Sequence, residues 1–179
     1  MVVRDRAELS VELDIVIRPP NPEDAEGLAL AARDLAGQYM AHEPERFRVP
    51  NRDAQLAAIN AMLRSARAEN EVWLVAEVGG EAVGDACAHL LEPSADAAVE
   101  PQLDVGRRRA YLDYLAVQAQ HRGQGIGGRL LQAVEQWARE HGAELISTDT
   151  NLRSNLGAVE FYEKHGYDKQ AVVLRKPLR

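Results

Sequence analysis

Four glycines fall within six positions, Gly123, Gly125, Gly127 and Gly128, and they constrain the fold more than any other feature of this chain. They stand between a run with strand spacing at residues 110–117 and a helical stripe of Ile126, Leu130, Val134 and Ala138. A glycine in a helix costs about 1 kcal/mol against alanine, so this many at a helix start weaken it unless the backbone itself has a task. Without a Cβ, successive amides can turn inward and approach a ligand closely. The helix that follows adds unpaired N–H groups and the positive end of its dipole. The pattern therefore describes an anion cradle, with phosphate the natural occupant. Each charge-assisted hydrogen bond there contributes about 1.5–3 kcal/mol. The alternative is a tight strand-to-helix turn with no ligand.

Two phosphate-binding motifs can be compared with the turn. The chain has no GxxxxGK[ST], which excludes a nucleoside-triphosphate P-loop. Residues 123–128 do satisfy GxGxxG, and Asp149 follows about 20 residues later, so a dinucleotide-dependent oxidoreductase has to be weighed. Against it, residues 118–122 separate the strand from the first glycine, and 30 residues after Asp149 are too few to complete parallel nucleotide-binding halves.

The rest of the chain supplies the frame. Val11, Leu13, Ile15 and Ile17 alternate with polar residues as a strand does. Asn21-Pro22-Glu23-Asp24 reads as a helix start, followed by a stripe of Leu28, Ala31, Leu35 and Tyr39. After a loop at 42–50, Asn51 caps a second helix carrying Leu56, Ile59, Leu63 and Ala66. Val72, Leu74, Ala76 and Val78 alternate up to Gly79-Gly80, and 82–91 continues as the partner of a hairpin. A long polar connection occupies 93–109. After the glycine turn and its helix come a strand at 144–148, a short helix at 154–165 and a last strand at 167–178 bearing Val172, Val173 and Leu174. Hairpins first and alternation later imply a mixed sheet with helices on its faces. The length suits one domain, residues 1–179, with an N-terminal extension at 1–12.

Composition narrows the function. A net charge of −7 and a pI near 5.3 argue against a nucleic-acid surface and suit cationic substrates. Cys87 is the single cysteine, so no intrachain disulfide can form, and a reducing, cytoplasmic setting is expected. No stretch has the roughly 20 apolar residues of a membrane helix, and Met1 to Arg6 lacks a signal-peptide core. The five histidines show no metal-ligand spacing, so no metal is expected.

The run Leu115-Ala116-Val117, then Gln120-His121-Arg122-Gly123-Gln124-Gly125, then Ile126-Gly127-Gly128, resembles the acetyl-CoA signature of the GNAT superfamily of N-acyltransferases. Downstream, Asn155, Ala158, Phe161-Tyr162-Glu163-Lys164 and Gly166-Tyr167 resemble that family's second motif, in the right order and separation. The resemblance is strong over residues 108–175 and rests on element order alone over 14–92. It implies an α/β (α+β) fold with a mixed, mostly antiparallel central sheet of about six to seven strands and about four flanking helices. It also implies that the amides of Arg122, Gly123, Gln124, Gly125, Ile126 and Gly127 hold the pyrophosphate of acetyl-CoA. Leu115 and Val117 would pair with the pantetheine arm like an added strand, Asn155 would touch that arm from the other side, and Tyr162 would lie near the sulfur. Helix geometry agrees independently, since residues seven apart share a face and lie about 10 Å apart along the axis.

The implied reaction is N-acetylation of a primary amine by direct attack on the thioester. A lysine-like ammonium costs roughly 4–5 kcal/mol to deprotonate at neutral pH, so a base is needed. The candidates are Tyr162 as acid toward the leaving thiolate and Asp113 as base, the latter on one strand face with Tyr111 and Leu115 by period-two spacing. Tyr111 or another acid remains an alternative base. Tyr39, His42 and Phe47 are candidate acceptor contacts, and Arg107-Arg108-Arg109 is either a solvated basic run or a contact for the coenzyme's 3′-phosphate. The acceptor is a small-molecule or peptide amine, and a homodimer is allowed for. A non-catalytic acyl-CoA-binding module is the main competing function.

Overall fold

The structure is a computed structural model that describes residues 13–151, 153–176 and 178. Strand β1 (Ile15–Arg18) is followed by α1 (Ala25–His42) and α2 (Arg52–Arg64), then by β2 (Glu71–Val78), β3 (Glu81–Leu91) and β4 (Arg109–Val117). Helix α3 (Ile126–Glu140), β5 (Leu145–Ser147) and α4 (Leu156–Lys164) complete the order. The five strands lie in sequence order, β1-β2-β3-β4-β5. The first three ladders are antiparallel and the β4–β5 ladder is parallel. This is the mixed, mostly antiparallel sheet with four helices that the motifs imply.

Local chemistry explains most of the boundaries. The Asn21 side chain accepts from the Glu23 amide at 2.8 Å, and Asp24 accepts from the Asn21 amide at 2.7 Å. This capping box starts a 3-10 turn that runs into α1. Gly79 and Gly80, at φ +60° and +87°, make the primed turn that a two-residue hairpin requires. The stripe of α3, Ile126, Leu130, Leu131, Val134 and Ala138, is fully buried, and Gly142 at φ +77° ends the helix. On one sheet face α3 packs over Ala76, Val83, Ala86, Ala88, Leu112 and Val117. On the other face, Leu28 of α1 and Ile59 and Leu63 of α2 pack over Trp73 and Val75. The central strands are thus covered on both sides.

Two strand expectations change. Val11 lies outside the described residues, and Leu13 packs on the core just ahead of β1. The expected strand at 167–178 makes no ladder among the described residues. Val172, Val173 and Leu174 are 77%, 84% and 89% exposed, and the sheet has five strands rather than six or seven. A β-branched run expresses a preference for a half-buried pleat, and pairing needs an edge to accept it. The β5 edge is only three residues long.

Candidate active site

The parallel β4–β5 ladder joins only Arg109, Ala110 and Tyr111 to Leu145, Ile146 and Ser147. Beyond it the two strands part, leaving the β5-side edge of β4 from residue 113 onward without a strand partner among the described residues. Thr148 Oγ1, just past β5, donates to the Leu112 carbonyl at 2.9 Å and closes the apex of the opening. Leu115 and Val117 lie on the open stretch, where an extended ligand could add as a strand does.

The glycine turn stands at the mouth of this opening. Gly123 and Gly125 have φ of +76° and +83°, the left-handed region that glycine tolerates, and nothing lies within 4 Å of where a Cβ would sit at either. No carbonyl among the described residues accepts from the amides of residues 123–125, and the α3 ladder begins with the Arg129 amide on the Gly125 carbonyl at 3.1 Å. Those amides, with the first turn of a 15-residue helix, form the cradle that an anion fits. Gly127 has a packing reason as well, since a Cβ there would meet the Phe161 ring of α4 at 3.5 Å. Arg122 folds back so that Nε donates to the Val117 carbonyl at 2.9 Å, and Nη1 donates to Gln38 Oε1 at 3.0 Å.

Gln38 continues to the far wall, donating from Nε2 to Asn155 Oδ1 at 3.0 Å. Asn155 is the N-cap residue of α4, yet its side chain makes no capping bond. Its carbonyl oxygen is engaged by Gln38 instead. Tyr162, one face-repeat along α4, is pushed above the ordinary tyrosine range by burial, and a hydrogen bond with Thr148 opposes that shift. Its hydroxyl therefore keeps its proton at neutral pH, as a proton donor must. Tyr39 and Asp149 both lie within electrostatic reach of it.

The face of β4 toward α1 carries more acid–base groups than the residue pattern suggests. Opposite Cys87 stands Tyr114, and opposite Ala88 stands Leu112, so Asp113 sits in a β-bulge. The bulge resets the alternation. Tyr111 and Asp113 share the face of His89, whereas Leu115 packs with the α3 core, which corrects the expectation that Asp113 and Leu115 lie on one side. His89 Nδ1 is 2.8 Å from Asp113 Oδ2, the two side chains being 32% and 42% exposed. The Tyr111 hydroxyl donates to Asp149, which raises Tyr111 to about 12. The Asp149 carboxylate thus contacts a tyrosine rather than a ribose position. The mostly antiparallel sheet also lacks the parallel halves of a dinucleotide fold.

Tyr39 and Phe47 are together, with ring centroids 4.9 Å apart, while the His42 ring nitrogen rests on the Gln38 carbonyl of its own helix at 3.0 Å. The arginine run does not approach the glycine turn. Arg108 pairs with Glu92 at 2.7 Å and Arg107 lies 3.7 Å from Asp104, both near the opposite end of the nine-residue β4, roughly 30 Å away at strand rise. This removes the 3′-phosphate role. A cavity of about 660 Å³ is lined at that same far end by Glu69, Asn70, Leu90, Glu92, Arg108 and His141. Cys87 is a half-buried residue whose thiol is pushed up by burial, so it stays protonated and unreactive. Among the described residues no cluster has metal-ligand character, and no helix is long and apolar enough to cross a membrane. Gln38, Thr148 and Asp149 are site residues that no periodicity marks, because their roles arise only from the crossing of α1, β5 and α4 beside β4.

Comparison with known proteins agrees with this geometry. A family model described as the acetyltransferase (GNAT) family matches residues 33–167. N-acetyltransferase 8 of Mus musculus is 38% identical over 95 residues, 53% of this chain and 37% of that protein. Aminoglycoside N(6')-acetyltransferase type 1 of Klebsiella pneumoniae is 34% identical over 100 residues, 55% of this chain and 48% of that protein. The chain thus spans less than half the length of either relative. Among solved structures, an aminoglycoside N-acetyltransferase AAC(6')-Iy in complex with CoA superposes with a TM-score of 0.60 at 20% identity, covering 100% of this chain and 99% of that one.

Proposed function

The chain belongs to the acetyltransferase (GNAT) family, and from that premise we propose that it transfers an acetyl group from acetyl-CoA to a primary amine by direct attack on the thioester. The observation that carries this reading is the parting of β4 from β5, with unpaired amides of residues 123–125 at its mouth and Tyr162 deeper in. A pyrophosphate fits the amides of Gly123, Gln124, Gly125, Ile126 and Gly127, whereas the expected Arg122 amide is already directed at the Ala119 carbonyl at 3.4 Å. The open edge at Leu115 and Val117 suits an arm with alternating amide groups, and Asn155, the N-cap residue of α4, would contact that arm from the other side. Acetyl-CoA supplies the activated acyl group and a thiolate leaving group.

The chain's own residues supply the proton traffic. Asp113, with His89 at 2.8 Å, takes the proton of the incoming ammonium at the exposed rim and passes it to solvent. Tyr162 gives its proton to sulfur as the C–S bond breaks. A main-chain N–H of β4 meets the charge that develops on the carbonyl oxygen. Tyr39 and Phe47 border the acceptor, and His42 stands at the same end of α1. A small amine such as an aminoglycoside or polyamine is the favoured acceptor class, since one relative acts on an aminoglycoside by name and the charge of −7 draws cations.

The test is thiol release from acetyl-CoA against a panel of aminoglycosides, polyamines and peptide amines. Amine-dependent release that falls about 100-fold or more in Tyr162→Phe supports the reading. Binding of coenzyme A with no amine-dependent release points to an acyl-CoA-binding module instead.

A further inference from the structure

Three side chains span the mouth of the opening and join its two walls. Arg122 Nε donates to the Val117 carbonyl of β4 at 2.9 Å, and Arg122 Nη1 donates to Gln38 Oε1 of α1 at 3.0 Å. Gln38 Nε2 then donates to Asn155 Oδ1, at the start of α4, at 3.0 Å. Every link is a direct hydrogen bond of ordinary length. Gln38 is the central member, and no step of the proposed reaction uses it.

This strap lies on atoms that an extended ligand needs. The Gln118 amide donates to the Val83 carbonyl at 2.9 Å, so residue 118 turns its main-chain groups toward β3. Alternation then turns those of Val117 away from β3, to the open side of β4. The Val117 carbonyl and Asn155 Oδ1 are thus two acceptors for the N–H groups of an entering arm, one on each wall. Arg122 donates to the first and Gln38 to the second. An arm that adds along β4 competes with both donors.

The backbone around the strap is held by other contacts. Asp34 Oδ2 on α1 accepts from the Ala119 amide at 2.6 Å, and the buried Gln118 donates from Nε2 to the Gly27 carbonyl at 3.1 Å. Both bonds tie α1 to the segment that leads into the glycine turn, so α1 keeps its place when the Gln38 side chain swings. Arg122 is exposed and Gln38 half-buried, which lets both side chains reach water when they move. Arg122 forms no ion pair among the described residues, so leaving Val117 breaks no charge pairing there. It is the residue next to Gly123, and its freed guanidinium adds positive charge at the edge of the anion cradle.

We propose that Gln38 is the clasp of this mouth, a positioning residue that holds Arg122 on β4 and Asn155 on α4 until the arm of the coenzyme exchanges those bonds for its own. The inference rests on the acetyl-CoA reading and deepens it. No covalent step is involved. The strap's bonds and the arm's bonds exclude one another, so each strap bond opposes binding by what it contributes to the closed arrangement. The clasp therefore sets how fast the coenzyme enters, and the proton traffic stays with Tyr162 and Asp113.

The experiment measures coenzyme A binding to the full chain by surface-plasmon kinetics and by calorimetry. Gln38→Leu keeps the approximate bulk of the side chain and removes both of its bonds. It should raise the association rate constant and the affinity together by about fivefold or more, the factor that two hydrogen bonds give at the lower end of their net contribution. The dissociation rate constant should not change. Gln38→Ala repeats the test with a side chain too small to clash, and should give the same result. Arg122→Met keeps the stem and removes the guanidinium. In that background the gain from Gln38→Leu should shrink to about twofold, since only the Asn155 bond is left to lose. Weaker binding by both Gln38 variants overturns the proposal, because it makes Gln38 a brace of the bound arm. Unchanged rate constants overturn it too, as does a gain that is equally large in the Arg122→Met background. If the unaltered chain binds no coenzyme A, the acetyl-CoA reading itself has failed. Binding by the unaltered chain with no response in the variants fails the clasp alone.

Discussion

An acid held in hydrocarbon has a thermodynamic signature that needs no substrate. Asp85 changes from an ordinary carboxyl near 3.8 in the unfolded chain to about 7 in the folded one. Because the folded value is raised, the native state binds more protons than the unfolded state between those limits, and stability falls as pH climbs through that window. At 1.36 kcal/mol per unit, the folded protein loses about 2 kcal/mol to this group at pH 5 and about 4 kcal/mol above pH 8, where the loss levels off. The amide introduced by Asp85→Asn has nearly the same shape as the carboxyl, can still accept from the Trp73 indole through its one oxygen, and does not titrate. Asp85→Asn is therefore expected to be more stable than the parent, by a margin that grows by about 2–3 kcal/mol from pH 5 to pH 8.5. Urea unfolding of both proteins at several pH values measures this margin, and every other titrating group cancels in the difference. A margin that does not change with pH would refute the argument. A margin that shrinks toward alkaline pH would mean that the ionised carboxylate is held by a partner.

Three further outcomes follow from particular contacts. Gly125→Ala meets open space, so its penalty is conformational: φ of +83° costs an alanine about 1–2 kcal/mol, and coenzyme A affinity measured by calorimetry should fall with it. Gly27→Ala meets the opposite problem, with a Cβ 2.1 Å from the Ala82 carbonyl oxygen of β3, and should lower stability in urea by about 3 kcal/mol or more as α1 lifts from the sheet. Asp24 is held below the ordinary carboxylate range by its two hydrogen bonds from Arg18 at 2.8 Å, against the pull of burial. Its contribution is present above about pH 4 and lost as pH falls further, so Asp24→Asn should flatten the acid limb of the stability curve.

The residues that are legible in the sequence are those whose constraint is local. Gly79-Gly80, the Asn21 cap and the stripe of α3 each state a backbone geometry within a few positions, and the hairpin, the first helix and the third lie where they indicate. Gly123 and Gly125 belong with them, since a left-handed φ is a property of one residue. Alternation along β4 stops being informative at Asp113, because a bulge adds a residue without any compositional mark and sends Leu115 to the opposite face. The 167–178 run misleads for a related reason: its side chains favour a strand, but pairing is decided by an edge elsewhere in the chain. Asp85 is the least visible of all. Within an alternating strand an aspartate reads as a solvent-facing residue, and only the layer of α1 and α2 over that face turns it into a buried acid. Groups that cost stability are invisible to patterns that score what stabilises, so a buried acid of this kind emerges only once the cover above the sheet is known.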